Sequence, residues 1–245
     1  MAERMTAHLH AVSVDANDPR GLARFWAGVL GREMVGDPGH GIALPPSDDS
    51  GFQVRFLPSD EPKVGSNRIH FDLTSTSLED QRRRVDRALE LGGRHIDIGQ
   101  SPDEGHVVLA DPEGNEFCVI EPDNRFLADT DLIGAVNCDG SQAVGYFWSE
   151  ALGWPLVWDQ DEETAIQSPA GGTKVAWGGP PLAPRNGRNR QRFDLVADDV
   201  ESEVARLTGL GATRLAELDG GVELADPDGN EFSVAPRRRG DASTR

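Results

Sequence analysis

An internal repeat constrains the fold of this chain more than any other feature. Residues 25–31, Phe-Trp-Ala-Gly-Val-Leu-Gly, resemble residues 147–153, Phe-Trp-Ser-Glu-Ala-Leu-Gly. Residues 68–73, Arg-Ile-His-Phe-Asp-Leu, resemble residues 190–195, Arg-Gln-Arg-Phe-Asp-Leu, and both pairs are separated by 122 positions. Self-similarity at a fixed offset is the signature of equivalent structural units. The chain is therefore expected to contain two copies of one unit.

A third pair of segments, 109–119 and 224–234, shares Leu-Ala-Asp-Pro-x-Gly-Asn-Glu-Phe at a separation of 115 positions. Pro presets φ early in a turn, Asp and Asn bond their own backbone, and Gly accepts a positive φ. We therefore predict a hairpin turn in each copy. The spaced carboxylates of a calcium-binding EF-hand loop are absent, which argues against calcium.

The length of 245 residues fits two domains of ordinary size. The predicted first domain covers residues 6–124 and the second covers residues 130–236. They join near residues 121–125, Glu-Pro-Asp-Asn-Arg, a polar, Pro-containing stretch typical of a linker. Residues 237–245 fall outside the repeat and are predicted to form a disordered tail.

Each copy reads as two smaller units, in which a strand is followed by a helix and then by several strands. The clearest helix covers residues 22–30, where apolar side chains recur at i, i+3, i+4, i+7 and i+8. The pair Asp18-Pro19 is a start signal for this helix, and Gly31 is a stop signal. The pattern predicts an α+β fold.

The charge balance excludes two classes of partner. With 24 Lys and Arg against 42 Asp and Glu, the net charge is −18, which repels nucleic acid phosphates and anionic lipid. No apolar run approaches the ~20 residues that cross a bilayer, and the N-terminus lacks the layout of a secretion signal. We expect a cytoplasmic protein, monomeric or homodimeric. Its two cysteines, Cys118 and Cys138, have no redox or zinc spacing.

The shared segments together resemble the vicinal oxygen chelate superfamily, which includes glyoxalase I, extradiol dioxygenases and bleomycin-resistance proteins. The resemblance covers about residues 8–236. Within the superfamily, the chain is similar to the glyoxalase-like subgroup, with two such domains in tandem. It implies two tandem domains, each of two βαβββ modules whose sheets curve into a cup. A cup of this kind holds a metal or a small molecule.

The resemblance also indicates where metal ligands would lie in the first domain. His70 stands at a ligand position, but Cys118 occupies the place of the final-strand carboxylate, and residues 53–57 of the middle strand contain no carboxylate. If a metal binds, the ligand set is His10, His70 and Glu116. Because a transition metal wants about three or four ligands, we expect no metal and no other cofactor.

The second domain departs further from the metal pattern. Arg192 occupies the position of His70, Ser233 occupies the position of Cys118, and all six histidines lie in the first half of the chain. A cup without a metal still buries an organic ligand against apolar walls with a few polar anchors. The candidate ligand-binding residues are His70, Arg55, Gln53, Cys118, Trp158, Trp177 and Arg192. For Trp158 and Trp177, packing in the core or at an interface is as good an explanation as ligand binding. For His70, a purely structural role in its strand is an equal alternative to a role in the site.

The sequence favours a protein that binds a small aromatic or carboxylated metabolite, or an antibiotic, in a cup without metal. The main alternative is a lyase or dioxygenase that depends on a divalent metal in the first domain. A metal-free enzyme with His70 as the catalytic base and a fold retained for protein interaction are further alternatives. The sequence does not decide whether the protein is an enzyme.

Overall fold

The computed structural model describes residues 7–37, 41–46, 51–101, 103–185 and 187–237. Four βαβββ modules follow one another along the chain. The strands are β1 (His8–Ala16), β2 (Val35–Asp37), β3 (Gly41–Leu44), β4 (Gln53–Pro58), β5 (Ile69–Leu73), β6 (Arg94–His95), β7 (Val107–Ala110), β8 (Glu116–Val119), β9 (Ile133–Cys138), β10 (Leu156–Gln160), β11 (Glu163–Gln167), β12 (Lys174–Trp177), β13 (Gln191–Ala197), β14 (Thr213–Leu218), β15 (Gly221–Ala225) and β16 (Glu231–Pro236). The helices are α1 (Pro19–Leu30), α2 (Leu78–Glu90), α3 (Gln142–Leu152) and α4 (Val200–Leu210), and a 3₁₀ turn covers Arg125–Leu127. The predicted α+β class is confirmed.

The signals read from the sequence do bound the first helix. Asp18 Oδ1 accepts a hydrogen bond of 2.9 Å from the backbone N–H of Gly21, which satisfies one of the open donors of the first turn. Gly31 ends α1 in the left-handed conformation, at φ 67°, and Gly153 ends α3 in the same way, at φ 66°.

The strands form two open sheets of eight strands each, consistent with the curved cups that the resemblance implies. Sheet A has the order β14-β15-β16-β13-β1-β4-β3-β2, and sheet B has the order β10-β11-β12-β9-β5-β8-β7-β6. Each sheet therefore takes one module from each repeat, joined by the antiparallel pairs β1–β13 and β5–β9. This corrects one detail of the prediction, which placed both modules of a repeat in one cup.

The physical reason is that each repeat builds its core across both sheets. Trp26 of α1 makes edge-to-face contacts with Phe25, and with Phe71 and Phe117 of sheet B. In the second repeat, Trp148 makes the equivalent contacts with Phe147, Phe193 and Phe232. Because these cores hold the two modules of a repeat back to back, the free edges of β1 and β5 pair with the other repeat.

The predicted hairpin turns do connect β7 with β8 and β15 with β16. Asp111 is buried at the first turn, where its carboxylate accepts hydrogen bonds from the Trp26 indole at 3.1 Å and the Asn115 backbone at 2.9 Å. Asp226 accepts the equivalent bond from Trp148 at 3.2 Å. Burial raises the pKa of both carboxyl groups. The repeated motif thus fixes the central tryptophan of each core.

Among the described residues, the helices pack on one face of each sheet, and strand alternation directs every second side chain to the other face. We call these surfaces face A, on sheet A, and face B, on sheet B. On β5, for example, Phe71 belongs to the helix-covered core, and its neighbours His70 and Asp72 point to face B. Among the described residues, no helix is long and apolar enough to cross a membrane. Apart from Arg237, the tail predicted to be disordered lies outside the described residues.

Candidate functional site

Face A carries a polar network centred on the partly buried carboxylate of Asp194. Asp194 Oδ2 lies 2.8 Å from Arg55 Nη1, and Asp194 Oδ1 accepts a hydrogen bond of 2.8 Å from the hydroxyl of Ser233. The hydroxyl of Ser13 also donates to Asp194. Gln53 lies two residues before Arg55 on β4, and strand alternation therefore puts it on the same face. The carboxylate is satisfied by groups of the protein itself.

Arg192 lies on the same face and is also paired within the protein. Its two terminal nitrogens each donate a hydrogen bond of 2.7 Å to Asp15, and its side chain is buried. Burial acts to lower the pKa of Arg192, but the bonds to Asp15 outweigh it and the pKa is raised. This bidentate geometry is the one by which arginine recognises a carboxylate. The position predicted to anchor a ligand therefore already holds an internal anion.

Face B places an imidazole, a carboxylate and a thiol together. His70 Nε2 lies 3.5 Å from Asp72 Oδ1, and Cys118 is paired with Asp72 in the register of β5 and β8. One ligand atom from each of the three residues lies within 4.8 Å of the others. The amide of Asn137, opposite His70 on β9, donates to Asp72 Oδ2. Among the described residues, buried Asp72 Oδ1 has no hydrogen-bond donor.

The environment of Cys118 makes this thiol a poor nucleophile. Burial raises its pKa well above the ordinary value, and the negative charge of Asp72 raises it further. Because the thiolate is the reactive form, the thiol remains protonated and unreactive near neutral pH.

Apolar side chains surround the polar group of face B. They form a cluster of their own, separate from the main core, made of Val108, Cys118, Ile120, Leu127 and Ala135 with Ile96 and Phe126 packed against it. Phe126 and Leu127 come from the 3₁₀ turn between the repeats. Trp158 on the edge strand β10 contacts Phe126 edge-on, with ring centroids 6.1 Å apart. Lys174 Nζ lies 5.1 Å from the centre of the Phe126 ring and donates to the Phe126 carbonyl.

The structure separates residues that the sequence grouped together. His70, Cys118 and Trp158 belong to face B, whereas Gln53, Arg55 and Arg192 belong to face A. Trp177 belongs to neither, because it is 1% exposed and packs in the helix-covered core.

The metal set proposed from the sequence is also divided. His10 lies on β1 of sheet A, whereas His70 and Glu116 lie in sheet B. Glu116 accepts hydrogen bonds from Lys63 at 2.8 Å and from the Asn67 backbone at 3.3 Å.

Three residues of face B were not predicted from the sequence. Asp72 was within reach, because it stands two positions after His70 on a predicted strand and so shares its face. Asn137 depends on the pairing of β5 with β9, which no local pattern reveals. Phe126 lies in a polar linker, where an aromatic residue was the only signal.

Comparisons with known proteins agree with this architecture. A family model described as a glyoxalase-like domain matches residues 11–120 and again residues 134–235. The fold is similar to glyoxalase I from Zea mays, with a TM-score of 0.70 and 16% identity over 94% of this chain and 92% of that chain. It is also similar to a Bacillus subtilis protein described provisionally as a dioxygenase, with a TM-score of 0.65 and 16% identity over 98% and 88% of the two chains. No curated protein matches the sequence.

Proposed function

Since the chain belongs to the glyoxalase-like family of the vicinal oxygen chelate superfamily, we propose that it binds a small organic molecule on face B. The observation that carries the proposal is buried Asp72 Oδ1, which lies 3.5 Å from His70 Nε2, receives no hydrogen bond among the described residues, and is set among apolar and aromatic side chains. Binding sites for small molecules combine apolar walls with a few placed polar groups. A buried carboxylate oxygen that receives no hydrogen bond from the protein can accept one from a donor group of a ligand.

The chemistry of face B favours an aromatic compound that carries a hydroxyl or N–H group. Such a donor would satisfy Asp72 Oδ1, and the ring would pack against Trp158 and Phe126. A ligand can reach both His70 and Trp158, since 36% of the His70 side chain and 37% of residue Trp158 are exposed. Face A lacks this combination, because its arginines are already paired with Asp15 and Asp194.

The test is a titration of the purified protein with a panel of phenols, hydroxylated aromatic acids and N-heteroaromatic compounds, followed by calorimetry and by tryptophan fluorescence. We expect at least one compound to bind with 1:1 stoichiometry, and His70→Ala and Trp158→Ala each to weaken it tenfold or more. Leu215→Ala is the matched control, because Leu215 is an exposed apolar residue on β14, the edge strand of sheet A. Binding that survives both face B substitutions would place the ligand elsewhere.

A divalent metal on face B is the second candidate, favoured by the closeness of His70, Asp72 and Cys118. These nitrogen, oxygen and sulfur donors suit zinc better than magnesium, which prefers oxygen ligands alone. A bound metal would supply Lewis-acid chemistry, as in the lyase or dioxygenase alternative. Elemental analysis of protein purified without an affinity-tag metal tests this. A stoichiometric metal that His70→Ala removes would favour it, and its absence from wild-type protein after titration with zinc and manganese would reject it.

A further inference from the structure

A cavity of about 420 Å³ is lined by none of the residues assigned to face B. It is lined by Asp15 near the end of β1 and by residues of two loops, namely 59, 61–64 and 66–68 in the first loop and 184, 185 and 187–190 in the second. The first loop joins β4 of sheet A to β5 of sheet B, and the second joins β12 of sheet B to β13 of sheet A. The two crossings between the sheets therefore meet at this cavity.

The charge of the lining is opposite to the charge of the chain. Five cationic residues line the cavity, namely Lys63, Arg68, Arg185, Arg188 and Arg190, against the two acidic residues Asp15 and Glu61. In the whole chain, 42 acidic residues outnumber 24 basic ones. Each of these cations is also paired with at least one carboxylate, so an anion in the cavity would bind through the N–H donors that those pairs leave over rather than through an excess of positive charge.

The repeat makes the cations equivalent in pairs. Lys63 and Arg185 are separated by 122 positions, and each is paired with the corresponding glutamate of its own repeat, Glu116 or Glu231. Neither glutamate lines the cavity. The acidic groups thus hold the cations in place from behind, and the cationic side chains face the space.

The second pair, Arg68 and Arg190, is buried and reaches across to the opposite repeat. Arg68 donates to Asn230 at 2.8 Å and to the Ala183 carbonyl at 2.9 Å, whereas Arg190 donates to the Glu61 carbonyl at 3.1 Å.

Both side chains are more than nine-tenths buried, with 7% and 8% exposed. Arg68 Nε faces Asp139 Oδ2 at 3.5 Å in an ion pair, and a terminal nitrogen of Arg190 is paired with Glu113. Arg190 Nε makes no hydrogen bond among the described residues, and a buried donor without an acceptor is rare in folded proteins.

We infer that this cavity is a second binding site, for a small organic anion with an acidic group at each end. Guanidinium groups match the geometry of carboxylate and phosphate oxygens. Each loop supplies an equivalent pair of cations, so that each end of the ligand meets one pair. Pro62, Val64 and Pro184 also line the cavity and give the carbon skeleton an apolar surface. The volume lies within the ~300–1,000 Å³ range of sites for small ligands.

The experiment titrates the full chain with succinate, citrate, inorganic phosphate and pyrophosphate by calorimetry at constant ionic strength, with chloride as the blank. We expect at least one of the anions to bind with 1:1 stoichiometry. Carboxylate probes and phosphate probes form separate arms, so the preferred acidic group is identified. The double variant Arg185→Gln, Arg188→Gln removes two cations at the exposed rim and should weaken binding tenfold or more.

Arg214→Gln is the matched control, because Arg214 is as exposed as Arg185, at 39% against 40%, and is paired with Glu201 and Glu217 away from the cavity. It should bind as the wild type does, and so should His70→Ala on face B. Circular dichroism checks that the double variant is folded. Failure of all four anions to bind to the wild type, or equal binding by the folded double variant, would overturn the inference.

Discussion

Face A and face B are built from equivalent strands but use an aspartate at the equivalent position in opposite ways. Asp194 and Asp72 are separated by the repeat offset of 122 positions. Asp194 is neutralised by Arg55 and receives two serine hydroxyls. Asp72 has a histidine 3.5 Å away and one oxygen without a donor. The same fold thus closes one polar centre and leaves the other incomplete.

The difference comes from a few positions that the repeat places at equivalent points. Arg192 stands where face B has His70, and Ser233 stands where it has Cys118. On face A, charged and hydroxyl side chains pair with one another, so no partner is required from outside. On face B, the described partners of Asp72 are His70, Asn137 and the thiol of Cys118, none of which is a permanent cation. Ser233 accounts for one of the bonds to Asp194, and the other two come from Arg55 on β4 and Ser13 on β1.

The largest effect is expected from removing the carboxylate at each centre. Asp194→Asn leaves the guanidinium of Arg55, whose side chain is 13% exposed, without its counter-charge and should lower the free energy of unfolding by about 3 kcal/mol. Asp72→Asn removes a carboxylate whose partners are not permanent cations and should cost about 1 kcal/mol. Urea unfolding of the two variants measures both values. Equal losses would contradict the contrast between the faces.

The second difference between the faces is the cover that the linker provides. Phe126 and Leu127 pack on face B, and Trp158 and Lys174 contact Phe126. Residues 124–128 occur once, between the repeats, so they cover one face only.

Phe126→Ala tests this cover and should lower the free energy of unfolding by about 1.5 kcal/mol, because the ring is half-buried against apolar neighbours. The tryptophan emission should also shift to the red, since Trp158 loses its aromatic neighbour. Phe126→Leu is the matched control. Because it keeps an apolar side chain in place, it should lower the free energy of unfolding by less than half as much as Phe126→Ala. An unchanged urea midpoint together with unchanged emission in Phe126→Ala would show that the linker does not cover face B.

Local patterns were sufficient for the elements and the repeat, but not for the assembly of the faces. The caps at Asp18 and Gly31 and the Asp-Pro-x-Gly-Asn turns act within a few residues, so they were readable from the sequence. The pairing of β1 with β13 joins residues more than 170 positions apart and depends on how the two cores pack. For that reason Arg55 and Arg192, assigned to different domains, lie on one face. His10 and His70, assigned to one domain, lie in different sheets.

The smallest effect is expected on the reactivity of the Cys118 thiol. It separates the effect of burial from the effect of the Asp72 charge. Burial and the charge of Asp72 both raise the pKa of this thiol, so the thiolate fraction at pH 8 is below that of a free cysteine. In native protein we expect an aromatic disulfide reagent to react much more slowly with Cys118 than in unfolded protein. Asp72→Asn removes the charge but keeps the burial, and should raise the rate of reaction of Cys118 in native protein several-fold.

Cys138 is the internal control and should keep its rate, because burial raises its pKa without help from Asp72. Cys118→Ser assigns the signal to the correct thiol. A native Cys118 that reacts as fast as a free cysteine would mean that face B is open to water at its centre, and the contrast with the closed network of face A would then extend to solvent access as well as charge.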